Sequence, residues 1–517
     1  MSDAHWDLEP FVPKTPPNRG RRTSTRTRPA RRSPQAKAGR FPHFRFPLSA
    51  FRFPLFPQSE PTCPRLERLS GFALVKSCIS LSRSLRVCLG SLVLAGSIGA
   101  GSYPTILQAG TPRNARQQAA AFRQQLQDGI LPYWYDSTLD RTNGGYVLGD
   151  DGRGGGQAKD KQLVTQARLV WTFSHVHQRG FPGRDYLKAA EQGYRFLQDH
   201  FWDKEQGGYY WKTDLTGRPT NERKIVYGQA FVIYALVEYA RASGRTEPLQ
   251  QALGLYETLQ RRAYDGVNGG WAEHFTRDWK WITQPDPDCE VEVPGLKSAN
   301  THLHLMEALA ELCQATGDAR VRKSLEEALR LNATYFYPLQ PGRSAFHRQP
   351  DWKEVTDPKS AGLSYGHNVE FAWLMIRAEQ VLGNRPSWNH FEAELAHALH
   401  YGFDYEHGGL YNRGIDDKPA TQRDKVWWVQ AELIAALVEG FRHRPTPDYS
   451  RALSMTLEFV RKYQADPKDG VWYDTVQADG QPKNLAKAHN WKANYHDVRA
   501  LVKLVETFDP LRDGTRR

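Results

Sequence analysis

Three stretches of this 517-residue chain set proton-carrying side chains close together. In Ser364-Tyr-Gly-His-Asn-Val-Glu370, His367 and Glu370 stand three residues apart, which on a helix puts both on one face. A histidine and a carboxylate so placed can move a proton near neutral pH. Asn300-Thr-His-Leu-His304 is followed by Glu307, and Trp491-Lys-Ala-Asn-Tyr-His496 by Arg499. A polar pair at a helix start has the same spacing, so the first stretch gains its weight from the other two.

The elements that must position these residues are helical. Apolar residues recur at helical spacing over residues 119–130, 163–176, 186–197, 226–240, 249–259, 301–313, 321–335, 369–382, 388–402, 426–441, 449–463 and 495–505. Between them a second pattern repeats: Asn143-Gly-Gly-Tyr146, Gln206-Gly-Gly-Tyr-Tyr210, Asn268-Gly-Gly-Trp271, His407-Gly-Gly-Leu-Tyr411 and Asp469-Gly-Val-Trp-Tyr473, each after an acidic residue. The first glycines, at 144, 207, 269, 408 and 470, are separated by steps of 63, 62, 139 and 62. The long step is two periods plus a small insertion, with a degraded copy near Gly342. Six two-helix units follow, with glycine at turns that need positive φ and aromatics closing them.

Six such hairpins stack into an open solenoid or close into a ring, and periodicity alone does not choose. Convergence of the polar helix starts on one pocket favours the ring. Inner helices are expected to begin near Lys161, Val226, Asn300, His367, Val426 and Tyr495. Within two turns of those starts stand Arg168, Asn300, His304, His367, Glu370, Trp427, Trp428, Glu432 and His496. One cup then collects them.

Charge adds no second partner. The net charge of +12 comes entirely from residues 1–100, which hold 17 Lys/Arg against 5 Asp/Glu, leaving 52 of each in the rest. The body is formally neutral and calls for no nucleic acid. The leader, residues 1–100, is rich in Arg, Pro and Ser without helical or strand period, so it reads as disordered. Its segment 83–100 has the basic flank, short apolar run and small residues of a secretory signal, too short for a spanning helix. Export and cytoplasmic residence stay open, as does a start codon downstream of Met1. Residues 101–517 read as a single domain.

Of five cysteines only Cys289 and Cys313 belong to the body, which permits one disulfide and no framework. No CxxC, HExxH or close His/Cys set asks for a metal, and His302 and His304, two apart, share a side on a strand but not on a helix. The glycine-rich residues 149–156 lack the phosphate-loop pattern.

The motifs Lys297-Ser-Ala-Asn-Thr-His-Leu-His-Leu-Met-Glu-Ala308, Tyr365-Gly-His-Asn-Val-Glu-Phe-Ala-Trp373, Lys425-Val-Trp-Trp-Val-Gln-Ala-Glu432 and Trp491-Lys-Ala-Asn-Tyr-His-Asp-Val-Arg-Ala500 resemble the N-acylglucosamine 2-epimerase superfamily, above all its cellobiose and mannose 2-epimerase branches. The resemblance runs from about Arg113 to Leu511. It implies an all-α fold, an (α/α)6 barrel with a deep central pocket, and metal-independent, cofactor-free chemistry at the reducing end of a sugar. The partner expected is a small sugar, with no membrane insertion of the folded domain, in a monomer or homodimer.

Such chemistry takes a weakly acidic proton from the carbon beside an aldehyde and stabilises the enediolate. Inversion at C2 needs a base on one face and an acid on the other. By resemblance, His367 and His496 are that pair and His304 assists ring opening. Arg168 would bond the oxyanion, Glu370 would orient a catalytic histidine and raise its basicity, and Asn300 would hold hydroxyls. Trp428 and Trp491 would stack on the sugar, with Glu307 and Glu432 supporting the histidines. Tryptophan on a helix is more often core, and Arg168 in its own context also reads as a paired structural arginine. His302, His175, His177, His274 and His407 carry no such support.

Cellobiose-type enzymes usually carry Asp after the central histidine, where this chain has Asn368, and a smaller residue at Phe371; Asn494 lies at a variable position. Those departures are expected to reshape the pocket around the second sugar. The nucleotide effector of the N-acetylglucosamine branch has no counterpart motif here. An aldose–ketose isomerase shares the enediolate and is the first alternative. A glycosidase needs a carboxylate pair across the scissile bond, and a silent sugar-binding protein would have lost His367 or His496.

Overall fold

The computed structural model of the protein describes residues 112–356 and 362–509. The leader and its signal-like segment 83–100 lie outside the described residues. Thirteen α-helices follow one another among the described residues: α1 (Pro112–Gln125), α2 (Leu131–Thr138), α3 (Leu163–Gln178), α4 (Tyr186–Phe196), α5 (Val226–Ser243), α6 (Glu247–Arg262), α7 (Ala299–Thr316), α8 (Ala319–Leu331), α9 (Tyr365–Leu382), α10 (Trp388–His397), α11 (Trp427–His443), α12 (Pro447–Phe459) and α13 (Tyr495–Phe508).

Burial separates two layers. Helix α5 is buried at every position from Val226 to Ala240, as a helix surrounded by others must be. Helix α8 buries only Val321, Ser324, Leu325, Ala328 and Leu331, a stripe at three- and four-residue spacing that faces one neighbour. Helices α3, α5, α7, α9, α11 and α13 pack each against the next, and α13 returns to α3. That closes the inner ring. The second layer lies outside it, with α1, the first described helix, packed on α12 and α13. The architecture is the (α/α)6 barrel, and it settles ring over solenoid.

Five of the six turns between an outer and an inner helix are locked by an equivalent buried lysine. Lys161 donates to Asp140 (2.8 Å) and to the Gly144 carbonyl (2.7 Å), Lys297 to Asp265 (2.9 Å) and Gly269 (2.6 Å), and Lys425 to Asp404 (2.7 Å) and Gly408 (2.6 Å). Lys224 pairs with Asp203 (3.1 Å) and Lys487 with Asp469 (2.8 Å). The aspartate also gathers the turn's amides, as Asp404 does those of Glu406 and His407. Gly408, at φ 86°, takes a conformation that disfavours side chains, and a Cβ there would meet the Met455 carbonyl at 2.3 Å. The lysine falls 17 residues after the first glycine in four units and 28 after it in the third, at Lys297. The degraded unit has Leu363 at the lysine position, and Gly342 lies in its corresponding turn.

A second device sits three residues into the inner helix. Gln166, Gln229 and Gln430 each accept from the amide of the residue after the glycine pair and donate to its carbonyl, at Tyr146, Tyr209 and Leu410. His302 holds the same position in α7 and accepts from the Trp271 amide at 3.2 Å. His302 therefore belongs to the fold. Asn368 is the α9 counterpart, donating to Ser344 (2.9 Å) and Glu394 (2.8 Å), and Phe371 stacks on Tyr337 at 4.6 Å. Both face the outer layer, so the expectation that they reshape the pocket is corrected: Asn368 follows His367 and Phe371 follows Glu370 by one position, and a helix turns about 100° per residue. Asn494 is fully buried at the N-cap of α13. Cys289 and Cys313 are both free. Among the described residues no helix is long and apolar enough to cross a membrane.

Truncating the lysine lock strands a buried aspartate and its carbonyls. Lys425→Met is expected to cost about 3–5 kcal/mol in urea unfolding, whereas His302→Gln, which installs the residue used in three other units, is expected to stay within about 1 kcal/mol. A His302→Gln loss as large as that of Lys425→Met would contradict the equivalence.

Candidate active site

Five residues into α3, α5, α7, α9 and α11 the side chain faces the barrel axis, two positions and about 200° beyond the glutamine site. Those residues are Arg168, Phe231, His304, Glu370 and Glu432, joined by His496 from α13. All six are buried. His367, Asn300, Trp428 and Trp491 stand nearer the mouth and are only partly buried. Of the ten residues predicted from the sequence, Arg168, His304, Glu307, Glu370, Glu432 and His496 thus form a floor and the other four a rim; Phe231 joins the floor unpredicted.

The floor is one hydrogen-bonded network. His304 Nδ1 is 2.9 Å from Glu307, which also accepts from the Tyr495 hydroxyl and Arg499 Nη1. Arg499 Nη2 donates to Glu370 Oε1 (3.0 Å) and Glu432 Oε1 (2.7 Å), and His496 Nδ1 is 2.6 Å from that same Glu432 oxygen. Trp373 Nε1 donates to Glu432 Oε2 at 3.0 Å. Glu432, not Glu370, is therefore the carboxylate in contact with His496, since Glu370 lies 4.0 Å away. With Nδ1 donating to a carboxylate, Nε2 of His304 and of His496 carries the lone pair.

Arg168 donates to the Tyr227 hydroxyl (2.9 Å) and lies over the rings of Phe231 and Tyr495, at 4.3 and 5.3 Å. Its Nε is buried without a protein acceptor. Trp428 stands between the two candidate acid–base groups, its ring 4.7 Å from His367 and 5.8 Å from His496. Trp491 leans on Trp211 at 6.1 Å.

Burial governs the protonation of the cup. It pushes the His496 imidazole down to about 3 despite the Glu432 hydrogen bond, and lowers His304 as well. His367 is lowered chiefly by desolvation, with His304 and the Arg413 guanidinium adding to it. Burial alone would raise Glu432, but Arg499 and His496 bring it down to about 2. Glu370 goes the other way, pushed well above the carboxylate range by burial and the Glu432 charge. Glu370, Glu432 and His496 bring ligand-type atoms within 4.8 Å of one another, a set that could hold a metal ion. The Arg499 guanidinium already stands against both carboxylates, so a cation entering there would have to displace it.

Sequence reasoning did not find Glu292, His347 or Arg413. Glu292, at φ 59°, accepts from Asn300 Nδ2 (3.0 Å) and pairs with His347 (2.8 Å). It belongs to the eleven extra residues of the third unit, tied down by Arg223 to Asp286, Lys212 to Glu290 and His274 to the Val291 carbonyl. The 28-residue spacing was the available signal. Tyr227, Trp373 and Arg499 were also unassigned, and His175, which stacks on Trp171 at 4.2 Å and bonds Glu238, is a packing residue.

Residues 145–500 match the family model described as N-acylglucosamine 2-epimerase (GlcNAc 2-epimerase). A cellobiose 2-epimerase from Bacteroides fragilis is 30% identical over 392 residues, 74% of this chain and 97% of that protein. A D-mannose isomerase from Thermobifida fusca is 27% identical over 59% of this chain and 75% of its own length. The solved cellobiose 2-epimerase of Spirochaeta thermophila superposes with a TM-score of 0.68 at 31% identity, covering 77% of this chain and 98% of that one.

The buried histidines set an acid limit on stability. His302 and His496 sit at about 3 in the fold against about 6.5 unfolded, so only the unfolded chain gains these protons between those values. Their contribution is complete above about pH 6.5 and is lost as pH falls toward the folded value. Replacing His302 with Gln is expected to reduce the proton uptake of unfolding by about one over roughly pH 4–6, measured as the pH dependence of urea-unfolding free energy.

Proposed function

The chain belongs to the N-acylglucosamine 2-epimerase family, and from that premise we propose that it inverts C2 at the reducing end of an unmodified aldose or β-1,4-linked disaccharide, with cellobiose the leading substrate. The identities near 30% to cellobiose 2-epimerases across almost their whole length support the disaccharide. The observation that carries the reading is the pair of histidines on α9 and α13, both held below the usual imidazole range, flanking one indole at 4.7 and 5.8 Å.

In this mechanism His304 moves the proton that opens the sugar ring. One of His367 and His496, neutral, then takes the C2 proton as base, and the other, which enters that step as the imidazolium, gives its proton to the opposite face. Glu432 holds the His496 tautomer and stabilises its charged form. Arg168, through the Nε that finds no acceptor in the protein, bonds the oxygen that gains charge. Asn300, oriented by Glu292, holds a hydroxyl, while Trp428 and Trp491 give apolar faces to the pyranose rings. Aldose–ketose isomerisation is the second reading, favoured by the D-mannose isomerase relative: it differs in returning the proton to C1.

Incubation in D2O with cellobiose, mannobiose, glucose, mannose, fructose and N-acetylglucosamine, followed by NMR, decides between them. Epimer formation with deuterium at C2 is expected, with kcat reduced about 10²–10⁴-fold in His367→Ala and in His496→Ala. Ketose as the main product would move the protein to the isomerases, and retention of full activity by either variant would remove that histidine from the mechanism.

A further inference from the structure

The three carboxylates around Arg499 are not held alike. Glu432 accepts from His496, Arg499 and Trp373, and Glu307 from His304, Tyr495 and Arg499. Glu370 has one donor, Arg499 at 3.0 Å, and that through Oε1 alone. Its Oε2 is fully buried with no protein partner, on the side chain that the inner-helix register turns toward the axis. An ionised carboxylate in such a place would leave most of its acceptor capacity empty, whereas a protonated one carries a donor to offer.

Charge balance agrees. Two guanidiniums, Arg168 and Arg499, face the cup, and His304 and His496 are neutral there. Ionised Glu307 and Glu432 match them. A third buried anion would stand uncompensated, at a cost of several kcal/mol. The raised affinity of Glu370 for its proton has the same physical origin: burial first, then the neighbouring Glu432 charge.

We infer that Glu370 serves as a neutral carboxylic acid whose Oε2–H donates to the sugar oxygen that becomes negative as C2 loses its proton. The inference rests on the enediolate chemistry proposed above, and replaces an orienting carboxylate with a donor. As the base histidine removes the C2 proton, the C–H electron pair forms the C1–C2 double bond and the carbonyl π pair moves onto O1, where it meets the Glu370 proton. If the proton crosses, a neutral enediol and a glutamate result. Reprotonation at C2 by the opposite histidine, which enters as the imidazolium, restores the carbonyl and returns the O1 proton to Glu370; Glu370 ends as it began, and the two histidines have exchanged protonation states, ready for the reverse direction. A carboxylic acid kept neutral by an apolar site can serve enolisation in this way.

Two substitutions separate donor from anion. Glu370→Gln keeps shape and one neutral donor and is expected to retain kcat within about tenfold, while Glu370→Leu, with neither donor nor acceptor, is expected to lose about 10²–10³-fold. Circular dichroism and unfolding curves establish that both variants fold. An infrared difference spectrum of wild type against Glu370→Gln at pH 7 is expected to contain a protonated-carboxyl band, a readout that needs no turnover and no Glu370→Leu protein. Absence of that band overturns the inference, as does a Glu370→Gln loss as deep as that of Glu370→Leu. Failure of the wild type to act on any sugar overturns the epimerase reading instead, and is distinguished by the band remaining.

Discussion

Arg499 sets a single guanidinium among three carboxylates contributed by α7, α9 and α11, while it rides on α13 itself. Four of the six inner helices are therefore joined through one side chain at the centre of the molecule. Each partner on its own would be an intolerable burial; a carboxylate at that depth without a cation costs several kcal/mol, and so does a guanidinium without an anion. Arg499 also fixes the unequal sharing that leaves Glu432 saturated and Glu370 nearly bare. From that inequality follow the tautomer of His496 and the neutral state of Glu370. The chemistry available to the cup is decided by how one cation divides itself.

The lysine locks carry that precision outward. A lysine two residues before an inner helix pins the glycine turn, a glutamine or histidine three residues in holds the turn's aromatic or leucine, and the residue five in faces the axis. Structural and chemical positions interleave at fixed offsets on one helix, so the turn that closes each hairpin also sets the rotation of its site residue. A lock out of register by one position would turn its site residue by about 100°. The unit without a lysine, at Leu363, carries His367 and Glu370, and Asn368 reaches its turn through Ser344.

Much of this was legible in the chain. The apolar period gave the helices and the repeated glycine pairs gave the hairpins, because burial and turn chemistry leave marks of their own on sequence. Arg168, His304, Glu370 and Glu432 were legible because each lies five residues past a helix start, and His496 because it stands one past its own. Two kinds of feature were not. Asn368 adjoins His367 and Phe371 adjoins Glu370 in the chain, and both were taken with the site, although neighbouring residues on a helix face different layers. Glu292 comes from an insertion with no period, where only its length departs from the pattern, and the division of hydrogen bonds among Glu307, Glu370 and Glu432 depends on distances that no spacing encodes.

The order of these helices along the chain has a consequence for assembly. Glu307 precedes Arg499 by 192 residues, and Glu370 and Glu432 also come before it. Helices α7, α9 and α11 cannot bury those carboxylates favourably until α13 closes the ring, since the cation that compensates them arrives with it. α13 in turn packs on α1 and α3, so that closure brings first and last described helices together. Partial barrels are thus penalised at the very place where the complete one is most polar. The buried charges add little to the stability of the finished fold by themselves, but they favour the complete ring over a partial barrel, and a cup with six walls is the state in which its histidines are dry.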